Sequence, residues 1–167
     1  KEARLRNCIP AMIRSLVLKP MSAIWPKTDW LPRPLRLKTL LQNLSRNPAE
    51  AYANTVSACR QTMRRSLLNR DFATSLNGHH PELAIITAFQ HGQRDTLSGM
   101  LSADTSVLLP DDFLTKVDRA SMAFGLEVRP PLVDWKLMEL AASMPSALKI
   151  RNGSRKWILK QLFESRL

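Results

Sequence analysis

The ionisable residues with the most ordered spacing lie between positions 111 and 156. Asp118 and Arg119 are adjacent within a stretch of helical periodicity. Glu127 and Arg129 are separated by one residue where apolar and charged types alternate, so the two charges share one side of an extended segment. Asp134 precedes a second helical stretch and Lys156 a third. Carboxylates beside guanidinium groups suit ion-pair networks, and where such a pair is buried it is costly unless partnered. Other chemistry has less support. His79 and His80 are adjacent and point in different directions, and His91 is alone, so no metal site is expected. The five glycines are isolated from one another, so no backbone cradle for phosphate is expected either.

These residues need helices to position them. Leu, Ala, Met and Arg are abundant, and β-branched runs are scarce. The spacing predicts helices over 5–17, ending before Lys19-Pro20, over 35–44, and over 49–68 after the start signal Asn47-Pro48, with another opening at Pro81. Pro32 and Pro34 place a loop over 25–34, and Asn77-Gly78 predicts a turn. Pro110, Asp111 and Asp112 predict a helix start, because proline fits the first turn and carboxylates meet the positive dipole end. Phe113, Val117, Ala120 and Phe124 predict its core face, and Gly125 its left-handed stop. Asp118 and Arg119 should then lie beside buried material, and Asp112 should pair with Lys116. Asp134 predicts an N-cap for a helix from Trp135 to Met144. Arg151-Asn152-Gly153 predicts a turn, and Ser154 the cap of a last helix carrying Trp157, Ile158, Leu162 and Phe163. No strand of convincing length is expected.

The 167 residues fit one domain or part of one, and 44% hydrophobic content can fill a core. The chain starts with Lys1 and stops inside a helical pattern, so both ends are expected to be cut. The net charge of +11 is confined to residues 1–70, with 14 basic against 3 acidic residues; the remainder balances at 11 and 11. Such a block attracts nucleic acid, anionic lipid or acidic partners. No groove-reading motif accompanies it, so a solvated helical face is the preferred reading and nucleic acid the disfavoured partner. The apolar stretch Ile9 to Trp25 is interrupted by Arg14, Lys19 and Pro20, which argues against a membrane span and leaves an interfacial helix open. Cys8 and Cys59 lack CxxC spacing; they read as small buried hydrophobes in a reducing, cytoplasmic compartment.

The stretch Leu108 to Asp134 resembles the signature of the asparagine synthetase family, LPDD-x-L-x-K-x-DR-x-SMA followed by LE-x-R-x-P and an Asp. The matching residues are Leu109-Pro110-Asp111-Asp112, Leu114, Lys116, Asp118-Arg119, Ser121-Met122-Ala123, Leu126-Glu127, Arg129, Pro131 and Asp134. Gly153, Lys156 and Leu159 resemble the family's later G-x-x-K-x-x-L pattern. The similarity runs from Asp104 to Leu162, roughly a third of the chain. Leu132-Val133 stand where the family usually has Phe-Leu, an apolar exchange that touches packing. Residues 1–103 then read as a basic variable helical region, and 104–167 as the signature part of one truncated synthetase domain.

The resemblance implies a mainly α chain, the helical C-terminal part of an α/β ATP-pyrophosphatase-type synthetase domain of the adenine nucleotide alpha hydrolase kind. It implies a glutamine-dependent ligase. ATP and Mg²⁺ serve adenylation of the aspartate side-chain carboxylate, and glutamine-derived ammonia then displaces AMP. Adenylation is needed because a carboxylate otherwise offers only an oxide as leaving group, and cations offset the charge on pyrophosphate. It places Asp118 near the acyl-adenylate as the catalytic candidate, balanced against a structural Asp118–Arg119 network. Arg119 and Lys156 become substrate-binding candidates, against a solvated lysine for the latter. Glu127, Arg129 and Asp134 become structural ones. An N-terminal glutaminase domain and a homodimer belong to the same expectation. The SGG-x-DS phosphate loop is not in these residues, so ATP and Mg²⁺ would be held mainly by other segments and the fragment alone would be inactive. Two further hypotheses stand beside this one. The first is a relative that makes an amide or lactam from another carboxylate. The second is a basic helical module acting on nucleic acid or membrane through residues 1–70.

Overall fold

The computed structural model describes residues 5–6, 8–25, 37–92 and 94–166. They are mainly helical and divide into two compact units, Lys1–His91 and Gly92–Leu167.

In the first unit Leu5, Arg6 and Cys8 are helical, as expected, and after Pro10 a longer helix, α1 (11–24), passes through Pro20 rather than stopping before it. Its middle stretch, Arg14–Leu18, is π-helical and sits between the α-helical turns Ala11–Ile13 and Lys19–Ile24. The wider turn lies next to the proline, whose missing N–H and ring disfavour a regular α-turn at that point. Next come α2 (Lys38–Ser45), α3 (Pro48–Val56), α4 (Gln61–Leu67), α5 (Arg70–Ser75) and α6 (Glu82–His91). The helix expected over 49–68 is therefore two, separated at 57–60. The Asn47 carboxamide accepts from the Glu50 amide at 2.8 Å, and Pro48 occupies the first turn, a start that the sequence announces.

Leu41, Leu44, Ala49, Ala51, Ala53, Ile85 and Ala88 form the core of this unit. Small residues on α3 let it lie close to α6, where Tyr52 and Phe89 meet as tilted rings 6.1 Å apart. A polar network runs through the same core. Asn43, only 1% exposed, donates to Thr55 Oγ1 at 3.0 Å and accepts from Asn54 Nδ2 at 3.0 Å. Its carbonyl accepts from the buried Arg6 guanidinium at 2.8 Å. Pairing of this kind offsets the cost of burying an amide.

The second unit is organised by α7 (96–122), a continuous helix in which α-helical Thr96–Ala103 and Thr115–Met122 flank π-helical Asp104–Leu114. Pro110 lies inside it, so Pro110-Asp111-Asp112 is a mid-helix feature and not a helix start. The wide turns relieve the clash that a proline causes in an α-helix, and the Thr115 hydroxyl reaches back to the Pro110 carbonyl at 2.7 Å. The true start is Asp95, whose carboxylate accepts from the Ser98 amide at 2.7 Å. The helix ends in a Schellman motif at Gly125, φ +69°: the Leu126 amide donates to Ser121 O and the Gly125 amide to Met122 O, each at 3.0 Å.

Beyond it lie a 3₁₀ turn at Pro131–Val133, α8 (Trp135–Ser143) and α9 (Ser146–Lys149). Two short strands follow, β1 (Ile150–Arg151) and β2 (Ser154–Arg155), and then α10 (Trp157–Phe163). The strands pair antiparallel across Asn152-Gly153, both at positive φ, so the expected turn is a hairpin of the two-residue Asn-Gly kind. Ser154 belongs to β2 and does not cap α10; that position falls to Lys156, at φ +55°.

Candidate functional site

The signature residues all lie in the second unit. Asp118 and Arg119 sit on the last α-helical turns of α7, and both are exposed rather than set beside buried material. The reason is the orientation of the helix. Gly99 and Ala103 face the interior of the unit, while Phe113, Val117 and Phe124 stand 57%, 46% and 85% exposed. The stripe expected to be core is thus on the surface of this unit, and its charged neighbours are there with it. Asp118 and Arg119 make no side-chain hydrogen bond or ion pair among the described residues. Lys116 Nζ meets Asp112 Oδ1 at 2.8 Å, the expected i, i+4 pair, and lies 5.5 Å from the Phe113 ring centre.

In the extended segment that follows Gly125, Arg129 Nε donates to Glu127 Oε1 at 2.7 Å. Both side chains are exposed, so this pair contributes little stability and mainly fixes local geometry. Asp134 Oδ1 accepts from the amides of Lys136 and Leu137 at 3.0 and 3.2 Å and caps α8. The other end of α8 is held from a distance in sequence: the Arg94 guanidinium donates to the carbonyls of Ala142 and Ser143. Lys156 is exposed in the left-handed region, a conformation unusual for lysine. No hydrogen bond or ion pair joins Asp118 or Arg119 to Glu127, Arg129, Asp134 or Lys156 among the described residues.

Sequence reasoning missed a second polar centre, in the first unit. Arg64 grips Glu82 with both terminal nitrogens at 2.6 Å and also donates to the Cys59 carbonyl at 2.8 Å. His80 Nδ1 lies 3.4 Å from Glu82 Oε2. Burial opposes ionisation of Glu82, but the Arg64 hydrogen bonds and charge outweigh it and hold the carboxyl below its usual range. The partners are 18 residues apart, on α4 and just inside α6, so no local spacing signals them. Cys8 and Cys59 are both free and exposed, contrary to the expectation of buried cysteines.

Among the described residues the glycines serve packing or turns. A Cβ on Gly92 would come within 2.4 Å of the Ser98 carbonyl, so Gly92 serves close packing against α7. Gly78, Gly125 and Gly153 face open space. No three His, Cys, Asp or Glu side chains converge as a metal site among the described residues. Among the described residues, then, no donor set converges that would fit Mg²⁺. No helix of the described residues is long and apolar enough to cross a membrane.

The sequence model of the asparagine synthase family matches residues 13–167. The chain belongs to that family. The match extends well upstream of Asp104, so the basic helices of the first unit are part of it and not an unrelated appendage. Among curated relatives, asparagine synthetase [glutamine-hydrolyzing] 1 of Bacillus subtilis is 24% identical over 134 residues, covering 80% of this chain and 21% of the relative. A Mycobacterium tuberculosis protein, provisionally named asparagine synthetase [glutamine-hydrolyzing], is 27% identical over 139 residues, covering 80% and 20%. The chain spans about a fifth of the length of these relatives. No solved structure matches it. The Asp118–Arg119 couplet and the Glu127–Arg129 pair are among the exposed polar groups of the described residues.

Proposed function

We propose that this chain is the helical C-terminal part of the α/β synthetase domain of a glutamine-dependent asparagine synthetase, an ATP-dependent carbon–nitrogen ligase. Its parent polypeptide would convert aspartate, ATP and glutamine-derived ammonia into asparagine, AMP and pyrophosphate. The observation that carries this reading is the continuous family match over 13–167 together with the ordered signature between Leu109 and Asp134. ATP and Mg²⁺ belong to segments outside these residues, and so does the glutaminase that releases ammonia.

The part assigned to this chain is one wall of the acyl-activation pocket. Asp118, with no internal partner among the described residues, is free to orient the incoming amine or a cation beside it. Arg119 and Lys156 supply positive charge toward anionic oxygens of the substrate. Glu127 and Arg129 fix the segment behind Gly125 through their 2.7 Å contact, and Asp134 anchors the next helix. A group that positions a reacting atom affects rate steeply, on the order of 100-fold for about 1 Å of misplacement.

The test is a steady-state assay of the complete synthetase that contains this chain, measuring asparagine and AMP from aspartate, ATP and glutamine. Asp118→Asn should lower kcat by about 100-fold with an unchanged melting curve. Amide formation on another carboxylate, with aspartate inert, would replace the aspartate reading by that of an amide- or lactam-forming relative. A second test uses the 167-residue chain itself. Titration calorimetry with ATP should show no binding at micromolar concentration, because the chain lacks a phosphate loop.

A further inference from the structure

We propose that the groove between the β1–β2 hairpin and α10 is a binding site for a small phosphate monoester with a planar apolar body. The hairpin register sets Arg151 opposite Ser154, so both side chains stand on one face of the two strands. On α10, Trp157, Lys160 and Glu164 recur at intervals of three and four residues and share one side of the helix. Two contacts join these faces. The Arg151 guanidinium lies over the Trp157 ring, 4.7 Å from its centre, and Lys160 Nζ donates to Ser154 Oγ at 3.3 Å. The groove between them has a volume of about 490 Å³, within the range of small-molecule sites. Trp157 and Phe163 supply its apolar lining, and Arg151, Asn152, Ser154 and Lys160 its polar one.

The polar lining selects the ligand. Among the described residues neither Arg151 nor Lys160 has a carboxylate partner. Lys160 gives a donor only to a neutral hydroxyl, which leaves its charge uncompensated. Glu164 also lines the groove, but its carboxylate accepts from Gln161 Nε2 at 3.0 Å. Two cations against one carboxylate leave the groove net positive. A phosphate monoester brings about two negative charges at neutral pH, where a carboxylate brings one. A guanidinium suits phosphate oxygens with paired donors, and an ammonium adds a point charge beside it. The Ser154 hydroxyl and the Asn152 carboxamide offer neutral donors. A planar body on the ester then packs against Trp157 and Phe163. Asp118, Arg119 and Lys156 do not line the groove, so this ligand is not placed on the residues assigned to substrate.

The experiment titrates phenyl phosphate, inorganic phosphate and benzoate separately into the isotope-labelled 167-residue chain. The indole N–H resonance of Trp157, identified with Trp157→Phe, reports occupancy. Phenyl phosphate should saturate with a Kd on the order of 1 mM, and the other two probes should bind several-fold more weakly. Arg151→Ala and Lys160→Met should each raise that Kd by about tenfold. Arg65→Ala/Arg70→Ala, which removes cations of the first unit, should leave it unchanged. The substituted side chains are exposed, so every variant should keep the native circular-dichroism spectrum. The absence of a saturable shift would overturn the site, and so would an unchanged Kd in Arg151→Ala/Lys160→Met. Equal weakening by Arg65→Ala/Arg70→Ala would reduce the effect to net charge and overturn it as well. Unfolding of Arg151→Ala/Lys160→Met would do the same, because the two cations would then serve the fold and not a ligand. Tighter binding of benzoate than of phenyl phosphate would overturn the choice of phosphate.

Discussion

The bidentate contact between Arg64 and Glu82 is the most constrained ionic interaction among the described residues. Two charge-assisted hydrogen bonds in a partly buried setting contribute more than an exposed pair such as Glu127–Arg129. Arg64→Ala should destabilise the first unit by about 1–3 kcal/mol, read as a lower urea midpoint. The loss should exceed that of Arg129→Ala, which should stay within about 0.5 kcal/mol. The pH dependence follows from the direction of the Glu82 shift. Its folded-state pKa lies below the usual value of 4.5, so folding favours the carboxylate. The stability it adds is complete above that value and is lost as pH falls through it toward the depressed folded value. The urea midpoints of the native chain and of Glu82→Gln should therefore differ by a constant amount from pH 6 to pH 8 and converge below about pH 4. A difference that grows with acidification would contradict the assigned shift.

Helix ends and close approaches decide stability at the scale of elements, and the glycines separate the two effects. Gly125 closes the Schellman motif at φ +69° with nothing near its absent Cβ, so Gly125→Ala should cost about 1 kcal/mol from backbone conformation alone. Gly92 has an ordinary φ, but its Cβ would press on the backbone of α7, so Gly92→Ala should cost more, about 1–3 kcal/mol. Thermal unfolding of both variants would rank them, and the reverse order would refute the packing role. Much at this scale was legible in the sequence. Asn47-Pro48, Gly125 and Asp134 announced their caps, because capping needs particular residue types within three positions. What was not legible has a common cause. The break at 57–60, the passage of α7 through Pro110 and the Arg94 cap on α8 depend on contacts or turn widths that local spacing does not record. The outward face of Phe113 and Val117 was illegible in another way: periodicity identifies an apolar face without saying which chain covers it. The signature itself was legible as chemistry, but its geometry places Asp118 and Lys156 without a contact between them.

Charge is the property that belongs to the whole molecule. Residues 1–91 carry 14 basic and 5 acidic side chains, a balance of +9, while residues 92–167 carry 11 and 9, a balance of +2. An excess of this size would serve nucleic acid only if the cations formed a continuous track along a backbone of phosphates. The structure spends two of them otherwise: Arg6 is buried on the Asn43 carbonyl, and Arg64 is committed to Glu82. Arg65 and Arg70 are exposed on two short helices separated by Leu68-Asn69, too brief to lie along a groove. A basic excess that forms no such track acts as a diffuse field. At about 0.15 M salt the Debye length is near 8 Å, and such a field is largely screened. No shift of duplex DNA or of anionic vesicles is expected at that ionic strength. Any shift at about 0.02 M salt should be indifferent to sequence, weakened by Arg65→Ala/Arg70→Ala and unchanged by the charge-neutral Arg64→Ala/Glu82→Ala. Sequence-selective DNA binding at 0.15 M salt would mean that the first unit reads a groove, and its place as a helical part of a synthetase would have to be given up.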